Sequence, residues 1–143
     1  MKSSDEDLLT DLGRLYSMLR RRFDRAMSEQ GASLARTKML IVIQSEGGTL
    51  RAADIADRFG ITPRTVTEAV DGLEREGLVV RRPDPEDRRA KRLEITPAGE
   101  AAIAVTEPLR RRLVQEIFAV LGDREAEHLH QTVRKLLQCD LAA

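Results

Sequence analysis

The chain has 143 residues, of which 41% are hydrophobic and 34% are charged, so it can bury a core and is globular in composition. Aromatic residues make up only 3% and tryptophan is absent, which argues against a protein that stacks single-stranded nucleic acid on aromatic faces. The formal net charge is zero, which excludes a globally basic nucleic-acid binder. A DNA contact would therefore have to depend on local charge.

Two features of the chain predict a soluble protein of the cytoplasm. No apolar run approaches the roughly 20 residues of a membrane helix, and the first residues, MKSSDEDLL, do not resemble a signal peptide. The single cysteine, Cys139, cannot form an intramolecular disulfide. Two interpretations of Cys139 stay open, a redox-active thiol or an inert, semi-buried residue at a helix end, and the absence of basic neighbours favours the second.

The first part of the chain predicts two helices. Apolar residues at steps of three and four indicate a long amphipathic helix over residues 5–30, which Gly31 would end. They are Leu8, Leu12, Leu15, Leu19, Phe23 and Ala26. An arginine run in this helix, residues 20–25, is interpreted as a solvated face rather than a DNA contact. Ser33 is a candidate N-cap for a second helix through Ser45, and residues 49–50 are predicted to form a short extended bridge after it.

Residues 52–71, AADIADRFGITPRTVTEAVD, predict a helix-turn-helix. The small residue Ala56 lies where the two helices would touch, and Gly60 can adopt the left-handed backbone that a tight helix end requires. Thr62 and Pro63 suit the N-cap and the first position of the second helix. The alternative is an ordinary helical pair with a solvated charged face.

The second helix of this unit has two different sides at roughly 100° per residue. Val66, Ala69, Val70 and Leu73 fall on the inward side, whereas Arg64, Glu68, Asp71 and Arg75 fall on the outward side, flanked by Thr65 and Thr67. The N-terminal end of the outward side would be free to enter a DNA major groove.

After Gly77 the periodicity becomes strand-like. Residues 78–82 and 90–96 alternate as strands and enclose the loop PDPEDRR, which predicts a two-stranded hairpin, or wing. Six basic residues make the hairpin locally positive, although Asp84, Glu86 and Asp87 oppose them in the loop. They are Arg81, Arg82, Arg88, Arg89, Lys91 and Arg92.

The last part of the chain predicts two more helices. Thr96 and Pro97 suit the N-cap and first position of one of them, and Pro108 is expected to kink or break it near Glu107. Gly122 would end this helix, and Asp123 would cap a final one.

The segment LVVRRPDPEDRRAKRLEITPAG, residues 78–99, resembles the MarR family of bacterial winged-helix transcription regulators. It follows DGLEREG and carries Asp87-Arg88-Arg89, with Leu93, Thr96 and Gly99 at the distances of the family motif. With the helix-turn-helix before it, the resemblance extends over nearly the whole chain.

The resemblance implies a mainly α fold: a winged helix-turn-helix lobe with a two-stranded β-wing, flanked by N- and C-terminal dimerisation helices. Residues 1–143 would form a single MarR-like domain, with dimerisation helices over 5–32 and 100–143 and the DNA-binding lobe over 33–99. It also implies a homodimer that binds a near-palindromic operator in double-stranded DNA. Such a regulator is predicted to be a repressor that a small-molecule effector releases from a pocket between the dimer helices and the lobe.

The family's recognition-helix contacts correspond to Pro63, Arg64, Thr65, Thr67 and Glu68. Its minor-groove arginine corresponds to Arg89, with Asp87 as the carboxylate that supports it. The local positive charge adds Arg88 and Lys91 to the predicted DNA contacts. Glu68 departs from a purely basic face, and it could either accept a hydrogen bond from cytosine N4 or repel phosphate.

No catalytic or metal chemistry is predicted. His128 and His130 lie two residues apart on a predicted helix, on nearly opposite sides, and cannot share one metal. No phosphate-binding loop or nucleophile motif occurs, so neither an enzyme nor a cofactor is expected. The alternative function is a winged-helix protein-interaction module without DNA binding, which would bury Arg64 and Arg89 in a protein contact.

Overall fold

The computed structural model describes residues 4–139 and contains six helices and two strands within that range. They are α1 (Asp5–Glu29), α2 (Leu34–Ser45), α3 (Ala52–Phe59), α4 (Pro63–Arg75), β1 (Val79–Pro83), β2 (Lys91–Ile95), α5 (Pro97–Phe118) and α6 (Asp123–Gln138). The predicted mainly α fold with a two-stranded wing is confirmed. The chain divides into two compact units, Met1–Leu109 and Arg110–Ala143, and the division falls inside α5. The last residues of the predicted 100–143 segment, 140–143, lie outside the described residues.

The core of the first unit joins the helix-turn-helix to the wing. Its fully buried side chains come from α2, α3, α4 and both strands: Ile43, Ile55, Val66, Val70, Leu73, Val79 and Leu93. The inward side predicted for the second helix of the helix-turn-helix is therefore the buried side of α4. Burial of a side chain of this size contributes on the order of 2 kcal/mol, so α4 and the hairpin are held by one shared core.

The predicted N-caps in the first unit are confirmed. The Ser33 side chain accepts a hydrogen bond from the Arg36 N–H, and the Thr96 hydroxyl accepts one from the Gly99 N–H at 3.1 Å. A Cβ on Gly99 would overlap the carbonyl oxygen of Leu78 and also meet Ile95, which explains why only glycine fits where α5 packs beside the hairpin.

Two boundary predictions near the C-terminus were wrong. Helix α5 ends at Phe118 rather than at Gly122. It continues through Pro108, so of the predicted kink or break the break does not occur. Gly122, not Asp123, is the N-cap of α6, and its N–H donates to the Glu125 carboxylate at 3.1 Å. The start of α6 is thus capped by a carboxylate from inside the helix, without a capping side chain at the N-cap itself.

Candidate nucleic-acid interface

The turn between α3 and α4 has the geometry that its residues predict. Gly60 adopts the left-handed conformation with φ of 62°, and the Ile61 N–H donates back to the Ala56 carbonyl at 3.1 Å. Thr62 then caps α4, since its hydroxyl accepts from the Thr65 N–H at 3.2 Å. Pro63 occupies the first turn of α4, where no N–H is needed. The turn therefore fixes where the N-terminus of α4 begins.

The N-terminal half of α4 presents an exposed polar surface. All five recognition-helix residues predicted to contact DNA are exposed: Pro63, Arg64, Thr65, Thr67 and Glu68. The Arg64 Nε lies 3.2 Å from the Glu68 Oε1, and 88% of the Arg64 side chain is accessible to solvent. An exposed pair of this kind contributes only about 0–1 kcal/mol, so both side chains can exchange it for contacts with a ligand.

The acidic residues in and just after the C-terminal half of α4 instead form ion pairs with the wing and with α2. Arg81 of β1 pairs with Asp71 at 2.6 Å and with Glu74 at 3.0 Å. Arg36 of α2 pairs with Glu76, which follows the end of the helix. These contacts compensate the acidic groups of α4 that would otherwise repel phosphate, and they leave its N-terminal half as the accessible end.

The wing divides its basic residues into two groups. The strands pair antiparallel from Val79 with Ile95 to Pro83 with Lys91. Arg81, Arg82 and Arg92 have carboxylate partners. Three others, Arg88, Arg89 and Lys91, are exposed, and no carboxylate within residues 4–139 pairs with them. The uncompensated positive charge is thus concentrated at the tip of the hairpin, with Arg88 and Arg89 in the loop and Lys91 at the start of β2.

Asp87 does not hold the Arg89 side chain in this structure. Its carboxylate accepts a hydrogen bond from the Arg89 main-chain N–H at 3.0 Å, and no contact with the guanidinium exists within the described residues. Asp87 therefore orders the backbone of the loop and leaves the Arg89 guanidinium free to reach a partner. The predicted contact between the Asp87 carboxylate and the Arg89 guanidinium is therefore not seen among the described residues, and Asp87 contacts only the Arg89 main chain.

Sequence reasoning missed the importance of Asp84, which it counted only as an opposing charge. The Asp84 side chain is fully buried, and it accepts hydrogen bonds from the N–H groups of Glu86 and Asp87 at 2.8 and 3.2 Å. It also pairs with Arg51 at 2.7 Å and Arg92 at 3.1 Å. The Asx turn was predictable from PDPED. The contact with Arg51, 33 residues earlier, was not.

These contacts shift the ionisation of Asp84. The N–H of Glu86, followed by the guanidinium groups of Arg92 and Arg51, holds the pKa of the Asp84 carboxyl far below its usual value, against the opposing effect of burial. The hydrogen bond with Asp84 in turn raises the pKa of Arg51.

Because the pKa of Asp84 is lowered in the folded protein, the free energy of unfolding depends on pH. Asp84 contributes stability that is fully present above its unfolded pKa, about 4, and that is lost as pH falls toward the folded pKa. Urea unfolding between neutral pH and pH 3 should therefore show a steeper loss of the free energy of unfolding for the wild type than for Asp84→Asn. Parallel pH profiles would contradict this linkage.

Several other residues discussed in the sequence analysis lie outside the candidate interface. Cys139 is exposed rather than semi-buried. His128 and His130 lie on α6, and no group of three or more metal-ligating side chains occurs in the described part of the chain. None of the described helices combines the length and apolar character needed to cross a membrane.

A capped, exposed helix on a helix-turn-helix lies next to a hairpin whose tip carries Arg88, Arg89 and Lys91, three cations without a carboxylate partner in residues 4–139. This combination defines the winged helix-turn-helix class of DNA-binding proteins. A family model described as MarR family matches residues 31–90. The chain is 26% identical to the transcriptional repressor MdtR of Bacillus subtilis, over 96% of this chain and 90% of that protein. It is 31% identical to a protein named as a regulator of the hcr operon in Thauera aromatica, over 84% of this chain and 72% of that one.

Solved structures share the fold over nearly the whole chain. The transcriptional regulator BldR of Sulfolobus solfataricus has a TM-score of 0.83 at 28% identity, over 96% of this chain and 98% of that one. A mutant of Escherichia coli MarR in complex with operator DNA has a TM-score of 0.74 at 24% identity, over 94% and 99% of the two chains. This chain belongs to the MarR family.

Proposed function

We propose that the protein is a homodimeric repressor that binds a near-palindromic operator in double-stranded DNA and is released by a small-molecule effector. DNA binding is supported by one observation: the N-terminal half of α4 is exposed and polar, and Arg88, Arg89 and Lys91 at the tip of the hairpin are exposed without a carboxylate partner in the described residues. The names of the relatives support repression, and the operator complex of a protein with this fold supports double-stranded DNA as the ligand.

Unpartnered apolar faces support the dimer. Six large apolar side chains of α1 are between 39% and 72% exposed: Leu8, Leu9, Leu12, Leu15, Tyr16 and Met18. Helix α6 has four more: Leu129, Val133, Leu136 and Leu137. A second copy of the chain would cover both faces, which makes residues 5–32 and 100–143 the dimerisation segments and 33–99 the DNA-binding lobe. Two recognition helices would then meet successive major grooves about 34 Å apart.

A cleft in the first unit supports an effector site. It has a volume of about 340 Å³ and combines apolar walls from Met39, Phe59 and Ile61 with the cationic side chains of Arg20 and Lys38. A ligand bound in this cleft, between α1, α2 and the turn before α4, would act by changing the distance between the two recognition helices of the dimer.

The alternative, an interaction module without DNA binding, is not favoured because Arg64 and Arg89 are both exposed. We also propose that the protein has no enzymatic activity and acts in the cytoplasm, where its operator would be found. The relatives are transcriptional regulators, which supports both statements.

Arg64→Ala tests sequence reading by α4. In vitro selection from a random duplex library with the wild-type protein should yield a near-palindromic site. On that site Arg64→Ala should cost on the order of 1–3 kcal/mol of binding free energy and relax the preference at one or two base pairs per half-site.

The matched control for this variant is Arg112→Ala, because Arg112 forms a comparable exposed pair with Glu116 four residues later, on α5. It should leave the base preference unchanged. Equal losses of Arg64→Ala on the selected site and on random duplex would instead assign Arg64 to a phosphate contact. Failure of the wild type to select any site would contradict sequence-specific binding itself.

A further inference from the structure

Asp84 connects the wing loop and β2 to Arg51, which lies 33 residues earlier in the chain. Its Oδ1 accepts from the wing-loop N–H groups of Glu86 and Asp87, whereas its Oδ2 accepts from Arg92 of β2 and from Arg51. Arg51 is the N-cap residue of α3, the first helix of the helix-turn-helix. One buried carboxylate therefore holds the wing loop, the returning strand and the start of the helix-turn-helix together.

Main-chain contacts around this carboxylate join the same segments. Residues Arg51 and Arg92 form an isolated antiparallel bridge, and the Leu93 N–H donates to the Leu50 carbonyl at 2.8 Å. The Arg51 N–H also donates to Asp54 at 2.8 Å, which fixes the beginning of α3. The contact thus lies between two rigid elements, and a side-chain change there can alter how one is held against the other.

We infer that Asp84 is a positioning residue for DNA binding, which fixes the wing loop against the helix-turn-helix so that Arg88, Arg89 and Lys91 keep a set position relative to α4. This inference rests on the proposed function. Asp84 itself is buried, so its side chain is not accessible to a duplex. Its effect would reach the duplex through Arg88, Arg89 and Lys91 at the tip of the hairpin.

A role of Asp84 through its charge and a role through positioning of the loop predict opposite changes in DNA affinity when Asp84 is neutralised. Removing one negative charge from the hairpin makes it more positive, and electrostatics alone would then strengthen DNA binding. Loss of the connection to Arg51 would let the loop change its orientation, which would weaken binding. The sign of the change in affinity therefore separates the two effects.

Asp84→Asn makes this comparison with little change in volume. Its amide oxygen can still accept from Glu86 and Asp87, so the turn of the loop is kept, but its NH₂ group faces the donor groups of Arg51 and Arg92. The matched control is Glu94→Gln on β2, which removes the same charge from the same hairpin. Glu94 pairs only with Arg82 in the described structure, at 3.5 Å, and both side chains are exposed.

The experiment measures binding of the selected duplex by fluorescence anisotropy over a range of salt concentrations. Asp84→Asn should weaken binding about tenfold and lower the salt slope, whereas Glu94→Gln should bind as well as the wild type or better. In an Arg89→Ala background the further loss from Asp84→Asn should shrink to about twofold, because one of the three side chains that it positions is gone and only Arg88 and Lys91 remain.

A second variant keeps the test independent of folding. Arg51→Lys retains the charge but not the contact of two guanidinium nitrogens with Asp84, and it should weaken binding in the same direction as Asp84→Asn. Binding by Asp84→Asn equal to that by Glu94→Gln, or losses that add fully with Arg89→Ala in folded protein, would overturn the inference. Absence of duplex selection by the wild type would instead reject the proposed function.

Discussion

Leu12→Lys is expected to convert the dimer into monomers or to unfold the chain. Leu12 lies within the apolar face of α1 and is 39% exposed in the single chain, so a second copy would cover it. A lysine there would place an unpaired charge in the interface, at a cost on the order of several kcal/mol. Light scattering at micromolar concentration, with circular dichroism as the measure of folding, should show the loss of the dimer mass.

Ser17→Lys is the matched control, because it adds the same charge to α1 on the side opposite Leu8 and Leu15, at roughly 100° per residue. Its dimer mass should equal that of the wild type. A monomer mass for the wild type itself, or an intact dimer in Leu12→Lys, would contradict the assignment of residues 5–32 to the dimer interface.

Local signals predicted the helix-turn-helix well because its geometry depends on neighbouring residues. Gly60 and Thr62 act within one turn of the chain, through a left-handed backbone and an N-cap, and both are where the sequence placed them. The burial of Val66, Val70 and Leu73 follows from helical periodicity. These features require no knowledge of distant parts of the chain.

Periodicity failed where apolar residues do not pack within the single chain. The sequence placed the end of α5 at Gly122, so Val120 was expected inside the helix, yet Val120 lies beyond the helix end at Phe118 and is 85% exposed. Apolar spacing alone cannot distinguish a residue that continues a helix from one that follows it. The helix end depends instead on backbone contacts such as the Leu121 N–H to the Phe118 carbonyl.

The charges of the site were predictable in number but not in pairing. Sequence analysis selected Arg88, Arg89 and Lys91 among the six basic residues of the hairpin as DNA contacts, but it did not predict the partners of the other three. The structure pairs Arg81 with two acidic groups of α4 and places Arg92 on the buried Asp84. Such contacts join residues that only the tertiary fold brings together, so this pairing could not be predicted from the sequence. Arg88, Arg89 and Lys91 are exposed, and no carboxylate within residues 4–139 pairs with them. Their exposure makes the wing loop the part of the hairpin best suited to contact DNA.

Arg89→Ala is expected to weaken operator binding about tenfold or more while leaving folding nearly unchanged. The Arg89 side chain is exposed without a carboxylate partner in residues 4–139, so its removal should alter the free energy of unfolding by less than about 0.5 kcal/mol. In a narrow, A·T-rich minor groove the same guanidinium would meet concentrated negative potential. The salt slope of binding should fall by about one phosphate equivalent per wing.

Two further variants separate this role from general charge and from loop order. Arg82→Ala removes the same charge from the same hairpin, but Arg82 already pairs with Glu94, so its effect on binding should be smaller. Asp87→Ala should also weaken binding less than Arg89→Ala, because it removes only the acceptor for the Arg89 main-chain N–H and leaves the guanidinium present. If Arg89→Ala binds the selected duplex with wild-type affinity at near-physiological salt, with the dimer intact, the wing loop contributes to the fold and not to DNA recognition.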